Sequence, residues 1–239
     1  MNREKDIIGR ALLDYQLGNY SENIITYSSI AGNDEMDIPL LFRSYDEMPD
    51  IEQRAMELCR GSVLDVGCGS GSHALFLQNK GHEVKAIDIS PGAIETCKLR
   101  KVKNTSTCNI WDIKIEKYDT ILALMNGVGM CETLGNLAPF LSHLKSLLKP
   151  NGQILLDSSD IIYMYDDNLK EQLIQDSENY YGEVVFEMAY KGEFSPHIFW
   201  LFADFQNLKS SAEKAGLNCE LIQEGLHYNF LVSLTTNIT

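Results

Sequence analysis

The sequence has no long hydrophobic run and no recognisable export leader. No apolar stretch in its 239 residues approaches the roughly 18 residues that cross a bilayer. The start, from Met1 to Asp6, leads into a short and interrupted apolar stretch without a small-residue cleavage site. We therefore expect neither a signal peptide nor a membrane partner.

The cysteines lack the spacing of a metal site. They lie at positions 59, 68, 97, 108, 131 and 219, none forms C-x-x-C, and no pair of histidines completes a zinc pattern. Scattered thiols without an export signal are typical of a reducing compartment. The sequence thus predicts a cytoplasmic protein with no bound metal, in which the cysteines serve mostly as small buried apolar residues.

Basic residues are scarce and unevenly placed. The chain has 20 Lys and Arg against 34 Asp and Glu, a net charge of −14. Residues 1–60 carry six basic and twelve acidic side chains, residues 160–224 carry four and thirteen, and residues 61–159 carry ten and nine. Nucleic-acid binding needs clustered Lys and Arg, which are absent, so we expect no nucleic-acid partner. The acidic flanks favour a neutral or cationic partner, unless they are only solvated outer faces.

Short apolar segments alternate with helical ones through the middle of the chain. Such alternation is typical of βαβ units and a parallel sheet. The predicted strands are 62–66, 83–88, 105–110, 118–125, 153–157, 218–223 and 228–234. Only three residues, 225–227, link the last two strands, which is too short for a crossover helix. The predicted fold class is therefore α/β, with a seven-stranded, mostly parallel, doubly wound sheet whose last strand is antiparallel.

The flanking segments predict additions to this sheet. Residues 1–60 have a broken helical pattern and are expected to form an N-terminal helical lid. Residues 160–203 contain alternating segments on both sides of Gly192 and are expected to form an inserted β-hairpin cap. The core domain would then comprise residues 61–159 and 204–239.

A glycine-rich turn follows the first core strand and opens the first core helix. Its glycines at 67, 69 and 71, preceded by Asp65, give the pattern D-x-G-x-G-x-G. The dinucleotide fingerprint G-x-G-x-x-G would need glycine at Ser72, and the Gly-Lys of a phosphate-binding loop is absent. Asp88 ends the next strand, where an acidic side chain can bind the hydroxyl pair of a ribose. The geometry predicts a nucleotide-type site at the carboxyl ends of parallel strands.

Residues 63–71, with the sequence VLDVGCGSG, resemble the nucleotide loop of the class I S-adenosylmethionine-dependent methyltransferases. Three further segments match that family in order and spacing: AIDIS at 86–90, NIWDI at 109–113 and LKPNGQ at 148–153. The last of these resembles the family's LKPGG turn, with Asn151 in place of one glycine. Asparagine tolerates the left-handed backbone that this turn needs.

The resemblance implies S-adenosylmethionine as cofactor and a methyl transfer to a small-molecule acceptor. It implies a ribose contact at Asp88, an adenine contact at Asp112 and a contact with the methionine moiety or the acceptor at Asn126. The full set of expected cofactor contacts is Asp65, Gly67, Cys68, Gly69, Gly71, Asp88, Ile89, Trp111, Asp112, Ile113 and Asn126. No Asn-Pro-Pro-Tyr motif, which is typical of amino-group methylation on nucleic-acid bases or protein glutamine, follows the fourth core strand.

No catalytic base is assigned from the sequence. The sulfonium methyl needs an acceptor atom held in line and water excluded, so a base is optional. The two flanking segments contain polar and aromatic residues that could reach the acceptor, but packing or surface exposure is favoured over catalysis for each. These residues are Arg43, Tyr45, Tyr163, Tyr165, Tyr180, Tyr181, His197 and Trp200. His73, in the first turn after the loop, is expected to neighbour the cofactor.

Two other functions stay open from the sequence alone. One is an NAD-dependent oxidoreductase, against which the loop spacing argues. The other is a protein that binds S-adenosylmethionine without transferring its methyl group. The oligomeric state and the acceptor atom are not given by the sequence.

Overall fold

The computed structural model describes residues 6–176 and 179–236, so the first five residues of the predicted lid and the last three of the predicted core domain lie outside it. Within these ranges the α-helices are α1 (Ile7–Leu17), α2 (Asp50–Leu58), α3 (Ser72–Asn79), α4 (Pro91–Leu99), α5 (Leu134–Ser146), α6 (Asp167–Gln175) and α7 (Phe205–Lys214). The strands are β1 (Ile24–Ser28), β2 (Gly32–Met36), β3 (Ser62–Val66), β4 (Glu83–Asp88), β5 (Thr105–Thr107), β6 (Tyr118–Ala123), β7 (Leu148–Ser159), β8 (Glu183–Tyr190), β9 (Glu193–Phe194), β10 (Ile198–Leu201), β11 (Leu217–Glu224) and β12 (Asn229–Thr236). None of the helices in these ranges is long and apolar enough to cross a membrane.

The large sheet has the predicted architecture. Its described strands follow the order β11-β12-β7-β6-β3-β4-β5, and β3 pairs in parallel with both β4 and β6. The last strand, β12, is antiparallel to both of its neighbours. The order reverses between β3 and β6, and in open α/β sheets ligands bind in the crevice at such a point.

Successive side chains of the central strands are buried on opposite faces of the sheet, so one apolar layer lies on each side of it. On β3, Val63 packs in the layer that holds α2, α3 and α4, whereas Leu64 packs in the layer that holds α5 and α7. Val63 and Leu64 are both fully buried. This period-two burial of a continuous apolar run explains why the sheet is covered by helices on both faces.

The flanking segments form one shared element. Its strands follow the order β10-β8-β1-β2, all antiparallel, with β9 also paired to β8. We call these five strands the cap sheet. The hairpin predicted across Gly192 is present as β8 and β9.

Residues 24–36 differ from the predicted helical lid, because they form the β1–β2 hairpin. The segment Ile24–Ser28 is rich in β-branched and aromatic side chains, which favour a strand. Its partner strand β8 lies far along the chain, since Thr26 pairs with Met188. The helices α1 and α2 of the same segment are present as predicted.

Helix α1 joins the cap sheet to the core domain. Asp6 caps the helix by accepting a hydrogen bond from Gly9 N, and Gly18 ends it in the left-handed conformation. The Asp6 carboxylate also accepts bonds from Ser90 Oγ and Gly92 N at the start of α4, at 2.8 and 2.9 Å. One buried carboxylate therefore fixes both helix N-termini next to the end of β4.

Candidate cofactor and acceptor site

The turn after β3 has a backbone that requires glycine. Gly67, Gly69 and Gly71 have φ angles of +71°, +52° and +84°, in the left-handed region. A Cβ at Gly71 would lie 2.8 Å from the Cys97 sulfur, so a side chain would clash as well. The turn ends at the N-terminus of α3, the end of a helix at which backbone N–H groups and the helix dipole favour an anionic group.

Asp65 lies beneath this turn, almost completely buried, at 2% exposure. Its Oδ2 has no hydrogen-bond partner among the described residues. Burial raises the pKa of Asp65 to about 6, and the nearby His73 opposes this rise. The residue is thus a buried carboxylate with one oxygen that has no hydrogen-bond partner within the described ranges.

Asp88 lies beside the same turn, at the end of β4. Its Oδ2 accepts a hydrogen bond of 3.0 Å from Gly69 N, and its Oδ1 accepts one of 2.9 Å from Ser90 N. Burial raises the pKa of Asp88, although the two backbone bonds oppose the rise. The predicted ribose acid and the predicted loop are thus in direct contact.

The predicted adenine segment follows β5 as a single 3₁₀ turn, Ile110–Asp112. Asp112 is exposed, Ile113 is buried, and the exposed Ile89 follows the neighbouring strand β4. The Trp111 ring lies 4.9 Å from His143 and 5.9 Å from Phe140, so it packs towards α5. The structure brings the Asp112 backbone to the same sheet edge as Asp88, with the indole partly engaged in packing.

Asn126 follows β6 on the other side of the crevice, with a left-handed φ of +60°. Its Nδ2 donates a 2.8 Å hydrogen bond to Leu201 O of the cap sheet, and its Oδ1 has no partner among the described residues. Asp157, at the end of β7, accepts a 2.9 Å bond from Gly127 N, and burial raises its pKa to about 6. The turn after β6 is therefore held from β7 and from the cap sheet together.

Cys68 does not present its side chain to the crevice. It is 6% exposed, and its sulfur lies 3.7 Å from the sulfur of Cys97 on α4. Its hydrogen bond with Cys97, together with burial, raises the pKa of the Cys68 thiol. The side chain of this residue therefore packs against α4.

The N-terminal segment also contacts the glycine turn. Leu41 O accepts hydrogen bonds from Ser70 Oγ and from Ser72 Oγ, the latter at 3.1 Å. Arg100 donates to the same two serines, and its guanidinium lies 4.8 Å from the centre of the Phe42 ring. Residues 41 and 42 therefore cover the loop from the side of the cap.

A buried charged network extends from this segment. The Glu52 carboxylate forms an ion pair with the Arg43 guanidinium and accepts a 2.9 Å hydrogen bond from His73 Nε2. Burial alone would raise the pKa of Glu52, but His73 and Arg43 outweigh it and lower the pKa. Burial likewise opposes charge on His73, yet Glu52 and Asp65 raise its pKa overall. The Nε of Arg43 is buried without a partner among the described residues.

Glu52 is the residue of this network that the sequence reasoning missed. It precedes the buried Ala55 and Met56 by three and four positions, so it lies on the buried face of α2. A carboxylate on an apolar helix face is a signal that it must have a buried partner.

Comparison with known proteins agrees with this geometry. A family model described as "Methyltransferase domain" matches residues 60–216. A crystal structure of an S-adenosylmethionine-dependent methyltransferase from Bacteroides fragilis, in complex with S-adenosyl-L-homocysteine, is 41% identical, with a TM-score of 0.91; the match covers 100% of this chain and 98% of the other. The chain therefore belongs to the methyltransferase-domain family, and the predicted resemblance is confirmed.

More distant relatives match in part. A ubiquinone biosynthesis O-methyltransferase from Rickettsia akari is 31% identical over 107 residues, which are 42% of this chain and 41% of the relative. The chain thus spans about two fifths of the length of that curated relative. The Streptomyces venezuelae protein DesVI is 17% identical with a TM-score of 0.55, over 78% of this chain and 90% of the other, and shows the fold alone.

Proposed function

We propose that this protein transfers a methyl group from S-adenosylmethionine to a small-molecule acceptor. The observation that carries the proposal is the contact between Asp88 and Gly69, because it joins the predicted ribose acid to the left-handed glycine turn at the switch point of the sheet. The Bacteroides fragilis methyltransferase, similar over its whole length, binds S-adenosylhomocysteine and supports the same cofactor here.

The proposed cofactor contacts follow the carboxyl edge of the sheet strand by strand. The adenine would contact the segment after β5 and Ile89, the ribose would contact Asp88, and the methionine moiety would lie between β3 and β6. The residues proposed to hold the cofactor are Asp65, Gly67, Cys68, Gly69, Gly71, Asp88, Ile89, Trp111, Asp112, Ile113 and Asn126.

The unpartnered buried atoms suit the charged end of the cofactor. The methionine moiety carries an ammonium group and a carboxylate. Asp65 Oδ2 and Asn126 Oδ1 are free acceptors for the ammonium, and Arg43 Nε is a free donor for the carboxylate. A buried polar group without a partner destabilises the folded protein, so these atoms fit a ligand that supplies the missing bonds. We therefore add Arg43 to the proposed contacts, with Glu52 and His73 as residues that position it.

For this methyl transfer the protein mainly has to bind the two substrates and hold them in line. When bound, S-adenosylmethionine supplies a methyl carbon that bonds to the acceptor lone pair as the carbon–sulfur bond breaks and its electron pair stays on sulfur. An acceptor O–H or N–H loses its proton to solvent or to a base. The side chains of the crevice fix the cofactor, and closure by the cap would exclude water.

The flanking segments are proposed to form the cap. The helical part of residues 1–60 covers the glycine turn through Leu41, and the insertion 160–203 contacts the turn after β6 through Leu201. Both segments share the cap sheet, so they would open and close as a unit. Residues 61–159 and 204–239 remain as the proposed cofactor-binding domain.

The acceptor is proposed to be neutral or cationic. The two cap segments contain an excess of acidic residues, which would repel an anionic polymer and attract a cation. Nucleic acid is accordingly not the proposed substrate. The described cysteines are all free thiols, which suits a cytoplasmic location.

The test combines cofactor binding with turnover. We expect titration calorimetry to detect binding of S-adenosylhomocysteine and not of NADH. We then expect labelled methyl to pass from S-adenosylmethionine to a metabolite pool. Tighter binding of NADH would contradict the proposal, and cofactor binding with no transfer to any pool would favour a non-catalytic binding protein.

A further inference from the structure

A cavity of about 300 Å³ lies between the cap sheet and the carboxyl edge of the large sheet. It is lined by the β1–β2 hairpin, by the residues after β7, by Phe186 and Phe202, and by the link between β11 and β12. This volume is at the lower end of the range for small-molecule sites. None of the proposed cofactor contacts lines the cavity, so it is a separate space.

The position of the cavity continues the order of the cofactor contacts. These contacts lie at the ends of β5, β4, β3 and β6 in turn, and the next strand in the sheet is β7. Ser159, the last residue of β7, lines the cavity. It lies two strand spacings from the glycine turn, about 10 Å at the usual distance between strands. The methyl end of a cofactor bound as proposed would therefore face the strand whose last residue lines this cavity.

Exposed apolar side chains line the cavity or stack on its lining. Leu226 is 81% exposed and Tyr228 is 64% exposed. The Tyr228 ring stacks on Tyr163 at 4.9 Å, and Tyr163 and Met164 are themselves exposed beside the opening. A contiguous exposed apolar patch around a concave opening is typical of a binding site.

The backbone of the same link is in an unfavourable conformation. His227 and Tyr228 have φ angles of +58° and +59°, a left-handed pair that glycine would adopt without strain. The chain nevertheless has side chains at both positions. One of these residues, His227, lines the cavity, and its imidazole has no hydrogen bond or ion pair within the described part of the chain. Such strain is kept where the side chains have a use.

The charge of the lining restricts the ligand. Asp34 is the carboxylate in the lining, and neither Lys nor Arg is among the described residues that form it. Asp34 Oδ1 accepts a bond from Glu35 N, and no described side chain donates to this carboxylate. A phosphate or carboxylate on the ligand would find no cation here, whereas an ammonium would find Asp34.

We propose that this cavity is the acceptor site, and that the acceptor is an aromatic or similarly flat apolar molecule with a hydroxyl or amine and no anionic group. Phe186 and Phe202 would contact its flat body, whereas His227 and Asp34 would bind its polar atoms. The assignment rests on the proposed methyl transfer, since it names the second substrate of that reaction.

Three probes that share one phenyl body test the charge preference. These are 2-phenylethylamine, 2-phenylethanol and phenylacetate, each titrated into protein saturated with S-adenosylhomocysteine and followed by NMR. We expect the amine and the alcohol to bind, and phenylacetate to bind more weakly than the amine by about fivefold, the upper value for one exposed charge pair.

Variants of the lining localise the binding. Phe186→Ala should weaken the amine and the alcohol alike by about tenfold, since it removes a buried aromatic contact. Asp34→Asn should weaken the amine about threefold and leave the alcohol unchanged. Leu226→Ala, at an exposed position that leaves folding unaffected, should weaken both ligands. The matched control is Phe199→Ala, because Phe199 lies on the outer face of the same sheet, beside Val185, and should change nothing.

The outcomes separate this inference from the proposed function. If S-adenosylhomocysteine itself does not bind, the proposed function is contradicted. If it binds while Asp34→Asn and Leu226→Ala leave all three affinities unchanged, the cavity is not the acceptor site. Equal binding of phenylacetate and the amine would overturn the predicted acceptor class.

Discussion

The carboxylate of Asp88 accepts a 3.0 Å hydrogen bond from the backbone N–H of Gly69. This bond connects the ends of two adjacent parallel strands, β3 and β4, at the crevice of the sheet. It holds an acidic side chain and a left-handed glycine turn in one rigid unit. A ribose placed against Asp88 would therefore lie directly over the turn.

Asp88→Asn should weaken S-adenosylhomocysteine binding by about 1.5–3 kcal/mol, the size of a hydrogen bond to a charged group. Titration calorimetry measures the change. Asp119→Asn is the control, because Asp119 lies at the opposite edge of the sheet, where it pairs with Lys149 and Ser62. That variant should lose some stability and keep its affinity. Unchanged affinity in Asp88→Asn would remove the ribose assignment.

Arg43→Leu should weaken the binding of the amino-acid end of the cofactor and leave the binding of its nucleoside end unchanged. We expect it to weaken S-adenosylhomocysteine about tenfold or more, because it removes a charge-assisted bond to the carboxylate. It should leave 5′-methylthioadenosine, which lacks the amino-acid end, within about twofold. Calorimetry with both ligands gives the comparison.

Arg54→Leu is the matched control for that variant, because the ion pair of Arg54 with Glu57 is exposed on α2. It should change neither affinity. Equal weakening of both ligands by Arg43→Leu would indicate a general loss of the cap and contradict a contact with the carboxylate.

The affinity for S-adenosylhomocysteine should rise with pH between about 5 and 7. Burial raises the pKa of Asp65 to about 6, so at pH 5 its carboxyl is mostly protonated. An ammonium ligand binds the ionised form, and a proton must leave before it binds. Below the pKa the affinity should therefore fall by about tenfold per pH unit.

The ratio of S-adenosylhomocysteine to 5′-methylthioadenosine affinity removes the contribution of Asp88, whose pKa is also raised and which acts on both ligands through the ribose. The Asp65→Asn variant then separates Asp65 from His73, whose raised pKa also acts on the amino-acid end through Glu52 and Arg43. We expect the ratio to rise with pH in the native protein and to be flat in Asp65→Asn. A flat ratio in the native protein would remove Asp65 from the ammonium site.

The large sheet could be predicted because its signals are local. Each strand, turn and helix between residues 62 and 158 has its own apolar run and its own breaker, and the short link at Gly225 fixes the antiparallel return. Methyltransferase membership could be predicted because the motifs lie at fixed offsets along the same local units. The individual contacts of those residues with the cofactor stay predictions.

The hairpin across Gly192 could be predicted, but the addition of β1 and β2 to the cap sheet could not, because that pairing is non-local. Strand β1 is short, and its partner β8 follows more than 150 residues later, with Thr26 opposite Met188. Closure of so long a loop leaves no local trace in the sequence. The Glu52 network is similar, since its three charged members come from the loop after a 3₁₀ turn at Ile38–Phe42, from α2 and from α3, and only the fold brings them together.

Gly92→Ala should loosen the docking of α1 on α4. A Cβ at Gly92 would lie 2.4 Å from the carbonyl carbon of Gly9, a backbone atom that cannot move without shifting the helix. The shift would also strain the bonds of Asp6 to Ser90 and Gly92, and we expect a loss of about 1–3 kcal/mol in the free energy of unfolding. Gly135→Ala is the control at the equivalent second position of helix α5, where the nearest atom lies 3.9 Å away. That variant should gain up to about 1 kcal/mol, because alanine is the better helix former. Urea unfolding of the two variants gives the comparison, and a Gly92→Ala protein as stable as Gly135→Ala would show that α1 does not depend on this close contact.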